Sequence, residues 1–164
     1  RPARPRSRTS CCAAPRDAAR ASTWRIRARA PKVYVRDSGL LHALLNLPRQ
    51  AALEHHPKLG ASWEGFILDQ LMQQLGTRPE ECYFWRTHTG AELDLLVVRG
   101  RERLGFEIKR TTAPAMTPSM RSAMNDLKLR ALTLVHAGSD TFALAKNVRA
   151  LSWRRIVADI RPLS

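Results

Sequence analysis

From residue 32 onward the apolar positions follow two different periods. Lys32, Val33, Tyr34, Val35 and Arg36 alternate, which predicts a short strand closed by a turn at Asp37, Ser38 and Gly39. Residues 40–47 read as a short apolar helix stopped by Pro48. Residues 50–60, with His55, His56 and Pro57, read as a short helix and a loop. In residues 61–75, Trp63, Phe66, Ile67, Leu71 and Leu75 recur at helical spacing, which predicts the clearest helix. Ser62 is its expected N-cap and Gly76 its terminator, which puts Glu64 in the first turn.

The period then changes to two. Strands are expected over residues 82–86, 92–98 and 104–109, with turns at 87–90 and 99–101. Leu93, Leu95 and Val97 are expected on one face of the second strand. In the third, Phe106 and Ile108 take one face and Glu107 and Lys109 the other. A helix over 118–129, a buried strand over 131–136, weaker strands over 142–144 and 148–151, and a closing helix over 153–160 complete the reading. Helix, three-stranded meander, helix and strand point to a mixed α/β domain with one central sheet.

Charge divides the chain. Residues 1–32 hold ten basic residues against Asp17, so most of the formal net charge of +14 lies there. Prolines at 2, 5 and 15 interrupt any helix, and residues 1–30 read as a disordered basic tail ahead of a domain over 31–164. Three readings of the tail stay open: a polyanion-binding arm, a transit peptide, or Arg-, Ala- and Pro-rich sequence without a role. The first methionine is Met72, which points to a fragment or a processed chain. No apolar run is long enough for a membrane span, so no membrane association is expected. Three cysteines without zinc-finger spacing fit a cytoplasmic, reducing setting.

Three residues carry the chemistry. Glu107 and Lys109 share one strand face, and a hairpin turning near Gly100 brings Asp94 beside Glu107. Two neighbouring carboxylates repel, and a divalent cation with a taste for hard oxygen, Mg²⁺ or Mn²⁺, relieves the repulsion. Such an ion polarises a phosphodiester and acidifies a bound water, and Lys109 then faces the developing charge. The plainer reading makes Asp94 and Glu107 strand charges paired with Arg86 or Arg110. Glu92 shares a face with Asp94 and is a possible alternate ligand. His88, in the loop before Asp94, is placed to touch a phosphate, with Arg86 and Arg110 as further nucleic-acid contacts. His55 and His56 lack a third metal ligand, and Trp63, Phe84, Trp85 and Trp153 read as core.

Glu64, Asp94 and the pair Glu107-x-Lys109 resemble the PD-(D/E)XK nuclease superfamily. A closer resemblance is to the domain of unknown function numbered 4143, found C-terminal to bacterial AAA-type ATPase domains. It rests on residues 32–40, on Gly60-Ala-Ser-Trp-Glu-Gly-Phe66, on Tyr83-Phe-Trp-Arg-Thr-His-Thr-Gly-Ala-Glu-Leu-Asp94 and on Gly105-Phe-Glu-Ile-Lys-Arg110, and covers roughly residues 31–155. The resemblance implies a restriction-endonuclease-like core, a central mixed sheet flanked by helices. It also implies a catalytic role for Glu64 beside Asp94, Glu107 and Lys109, with Asp94 and Glu107 holding the metal. DNA is the implied substrate and an AAA-type ATPase domain the implied partner; a catalytically silent regulatory domain is the competing class. Leu93 stands where the motif's proline would be, and no G-x-x-x-x-G-K-[ST] occurs, so no ATP site is expected in this chain.

Overall fold

The structure, a computed structural model, describes residues 23–26 and 32–163. Most of the tail expected over residues 1–30 lies outside these. Ordered backbone nonetheless begins before Lys32: β1 (Thr23–Ile26) pairs antiparallel with β2 (Lys32–Val35) as a two-stranded sheet.

The main sheet has six strands: β3 (Cys82–Arg86), β4 (Glu92–Arg99), β5 (Glu102–Lys109), β6 (Ala131–His136), β7 (Phe142–Ala145) and β8 (Val148–Ser152). Their order is β3-β4-β5-β6-β8-β7. β3, β4 and β5 form the antiparallel meander, β5, β6 and β8 run parallel, and β7 closes the far edge antiparallel to β8. The carboxyl ends of β3, β5, β6 and β8 and the amino end of β4 therefore lie along one end of the sheet.

Helices cover both faces. α1 (Ser38–Leu44) is capped by Asp37, whose carboxylate accepts the Leu40 N–H at 2.9 Å. α2 (Gln50–Glu54) is a single short turn. On one face α3 (Leu59–Leu75) lays Ile67, Leu68, Leu71 and Leu75 against Leu95, Val97, Phe106, Ile108, Val135 and Leu151, where α5 (Ile156–Asp159) adds Ile156. On the other, α4 (Pro118–Asp126) brings Met120 and Ala123 onto Leu93, Leu96, Leu132, Leu134 and Val148. Buried on both faces, β6 reads as a continuous apolar run for that reason.

Three expectations are corrected. α3 starts at Leu59, not after Ser62, because Ser62 is buried against α1 with its hydroxyl 2.8 Å from His42 Nε2. Glu64 thus falls in the second turn. Gly76 ends the helix as expected, at φ +62. Leu93 does not share a face with Leu95. Tyr83 stands opposite Leu96 and Trp85 opposite Leu93, so Asp94 and Leu95 together span the single residue Phe84. This β-bulge sends Leu93 and Leu96 to the α4 side and Leu95 to the α3 side. Finally, α4 ends at Asp126, with Lys128 at φ +53, and the closing helix is a 3-10 turn (Trp153–Arg155) followed by the one turn of α5.

Candidate active site

The bulge falls at Asp94, one of the expected site residues. Backbone pairing of β4 with β5 stops at Leu95 and Phe106. One residue further on, Asp94 is buried at 8 % exposure, and its Oδ2 accepts the Ile108 N–H at 2.9 Å. A side-chain oxygen thus takes over from the strand ladder and fastens Asp94 to the middle residue of Glu107-Ile108-Lys109. Glu107 is 5 % exposed, and its Oε1 lies 2.9 Å from Lys109 Nζ. The pair shares a strand face, as alternation requires, with Phe106 and Ile108 on the other.

Glu64 enters from α3. Its Oε1 accepts the hydroxyl hydrogen of Tyr34, from β2. Burial pushes the Tyr34 hydroxyl well above its ordinary range, and the hydrogen bond to Glu64 and the charges of Glu64, Asp94 and Glu92 push it further. It therefore stays protonated and donates. Three carboxylates from α3 and β4 act on this one hydroxyl.

Glu64, Asp94 and Glu107 do not form a three-carboxylate cage. Among the described residues no group of three or more His, Cys, Asp or Glu side chains is placed to hold a metal ion. The two expected ligands, Asp94 and Glu107, stand on the adjacent strands β4 and β5 and offer carboxylate oxygens. These hard oxygens suit Mg²⁺ or Mn²⁺, which keep several waters and accept one or two carboxylates.

The expected nucleic-acid contacts sit at the same end of the sheet in different states. Arg86 is held across the ladder by Glu92, 3.1 Å from Nε to Oε1. His88 is exposed in the loop between β3 and β4, which is closed by Thr87 N–H donating to the Ala91 carbonyl at 2.8 Å. Arg110 is exposed just beyond β5. His55 Nδ1 contacts the Ala51 carbonyl, and His56 Nδ1 accepts the Lys58 N–H, so both act as local helix-end groups. Trp63, Phe66 and Trp153 form an aromatic cluster, with Trp63 and Trp153 edge to face at 5.6 Å.

Two residues escaped the sequence reading. Tyr34 is one; a tyrosine in a four-residue strand carries no signal of the helix it will meet. The other is His136, buried at the carboxyl end of β6 in register with Lys109. Its Nδ1 accepts the Gly138 N–H at 3.1 Å, so Nε2 carries the hydrogen and donates to the Asp140 carbonyl at 2.8 Å. It shapes the turn after β6 beside the site. Its place at the end of an apolar parallel strand was the available cue.

Residues 59–156 match the family described as Domain of unknown function (DUF4143), more than half of the chain, and the chain belongs to that family. Uncharacterized protein Rv2008c of Mycobacterium tuberculosis and uncharacterized protein Mb2031c of Mycobacterium bovis are each 51% identical to it over 123 residues, 75% of this chain and 27% of theirs. The chain thus spans about a quarter of the length of the curated relatives it matches. No solved structure matches it.

Proposed function

We propose that this chain is a restriction-endonuclease-like, PD-(D/E)XK-type domain that binds and cleaves DNA with Mg²⁺ or Mn²⁺, in a cytoplasmic setting. We propose further that it works as the C-terminal part of an AAA-type ATPase whose nucleotide-binding half lies outside this sequence. The observation that carries the reading is the Asp94–Ile108 hydrogen bond. It joins the aspartate of β4 to the strand bearing Glu107 and Lys109, at the end of the sheet where the parallel strands finish. The mixed six-stranded sheet with helices on both faces is compatible with that class.

In this reading Asp94 and Glu107 hold the cation. When bound, the ion supplies Lewis-acid polarisation of a phosphodiester and a more acidic water. Lys109, partly exposed, places its ammonium above Glu107 and offers a charge to the phosphate. Exposed Arg110 and His88 contact the backbone of the nucleic acid, and Arg86 is fixed by Glu92 at the rim. The ordering of the loops by Thr87 and His136 favours a pre-formed rim. The competing reading is a silent interaction domain that regulates its ATPase.

Two variants on one DNA substrate separate the readings. Glu107→Gln keeps shape and deletes a charge. Cleavage should fall by about a hundredfold or more, since the ion's contribution is several kcal/mol. Metal-free binding should hold or tighten, because a carboxylate facing the phosphate has gone. Lys109→Ala should lower cleavage and weaken binding. A silent domain binds alike in all three forms and cleaves nothing. Cleavage that survives Glu107→Gln undiminished would remove the site assignment.

A further inference from the structure

We infer that Tyr34 is a positioning residue of the candidate site, its hydroxyl setting where the Glu64 carboxylate stands. The inference rests on the metal-carboxylate reading above and adds a residue to it from outside the central sheet.

Tyr34 belongs to β2, which pairs only with β1 among the described strands. Its side chain is nevertheless buried in the α3-side core. The ring reaches α3 at Gly65: a Cβ there would come within 3.0 Å of Tyr34 Cδ1 and 3.3 Å of its Cβ. A residue without a side chain at 65 is what admits the ring. Glu64, one position earlier, then receives the phenolic hydrogen. A phenol has one hydrogen to donate, and this one is committed to Glu64. A glutamate on a helix samples several rotamers, and a donor on a packed ring selects one of them. The same hydroxyl also lies within the field of Asp94 and Glu92, which sets it near the acids of β4. Asp94 is in turn anchored to β5. The two carboxylates are thus each held by a neutral donor from a different element, a phenol for one and a main-chain amide for the other. Donors of this kind orient a carboxylate, as outer groups around a metal do.

The test is calorimetric titration of Mn²⁺ alone into the chain and four variants. Tyr34→Phe keeps the ring against Gly65 and removes the hydroxyl. Its Mn²⁺ affinity should fall about tenfold, the scale of losing an outer-shell partner, with the circular dichroism spectrum unchanged. Glu64→Gln should lose a similar factor, and adding Tyr34→Phe to it should change little, because the tyrosine acts through that carboxylate. Glu64→Gln also reports on the contact if Tyr34→Phe fails to fold. Parent-like affinity in Tyr34→Phe, with binding abolished by Asp94→Asn, overturns the Tyr34 inference and leaves the metal site standing. A Tyr34→Phe chain that melts earlier but binds Mn²⁺ as the parent does also overturns it. A parent chain that takes up no Mn²⁺ overturns both.

Discussion

Glu81 and Glu107 are buried to nearly the same extent, 6 % and 5 % exposed, at opposite ends of one sheet. Glu81 sits in the 3-10 turn Pro79–Glu81 that leads into β3. Arg99, at the end of β4, grips both its oxygens, at 2.9 and 2.7 Å. The Arg78 N–H and guanidinium add bonds of 2.9 and 3.1 Å. Arg99 also donates to the Gly76 carbonyl at the end of α3 and to the Leu163 carbonyl. One guanidinium therefore ties four segments together. At the other end Glu107 faces Lys109, a compact ammonium on a flexible stem whose side chain is 42 % exposed. Arginine's planar fork matches a carboxylate and stays; lysine is a point charge that can turn to a new partner. Under the proposed function, the difference separates a buried glutamate that fastens the fold from one that works at the site.

The largest expected effect comes from exchanging the roles. Glu107→Gln should cut DNA cleavage by about a hundredfold or more and leave the melting temperature near that of the parent. Glu81→Gln should do the reverse, lowering the melting temperature with the rate per folded molecule unchanged. A cleavage assay beside a thermal melt on both variants reads the crossover, and two variants that behave alike would dissolve the distinction.

Next is the cation. Mg²⁺ or Mn²⁺ at about 100 times its dissociation constant should stabilise the folded chain by about 2.7 kcal/mol, since it binds only that state. Asp94→Asn should remove most of this gain, whereas Glu81→Gln should retain it. Thermal melts with and without cation decide; melts indifferent to millimolar levels of both ions would count against the metal site.

Acid acts on the other end. The Arg99 guanidinium, together with the Arg78 amide, holds the Glu81 carboxyl at about 2, below its ordinary 4.5. The folded state then binds fewer protons than the unfolded one between those values. The contribution of Glu81 is complete above about 4.5 and is lost progressively as pH falls toward about 2. Urea midpoints measured down this range should drop more steeply for the parent than for Glu81→Gln. Parallel curves would mean that the fork does not bias the proton.

The smallest effect concerns the rim. Arg110→Ala should lower the slope of log K against log salt by about 0.9, one phosphate contact. Arg101→Ala, an exposed change in the β4–β5 turn at the opposite end, should leave it alone. Binding curves at several salt concentrations test this, and equal slopes would detach Arg110 from the nucleic acid.

Much of the fold was legible because it is local. Alternation marked β2 and β5, an apolar run marked β6, and Gly76 marked the end of α3 at a backbone angle that glycine adopts without strain. The pairing of Glu107 with Lys109 followed from a period of two. The start of α3 is not legible, because Ser62 looks like a cap in sequence while its hydroxyl is engaged by His42 twenty residues away. The bulge at Asp94 was missed since nothing in Leu93-Asp94-Leu95-Leu96 departs from an ordinary strand. Its cause is the register that β4 must keep with two neighbours at once.

The sequence by itself determined which residue types could do chemistry and in what order they occur: a helical glutamate, then an aspartate, then a glutamate and lysine two apart. Periodicity and hydrogen-bonding capacity act over a few residues, so a linear reading reaches them. Only the tertiary structure decided their company. It joined the Ile108 amide to Asp94, gave Glu64 the hydroxyl of Tyr34, and set Glu81 in the fork of Arg99 and Glu107 against Lys109. These contacts join residues from 14 to 30 positions apart. They depend on how two sheets and the helix between them pack, and packing is set by the sum of many weak contacts rather than by any one motif.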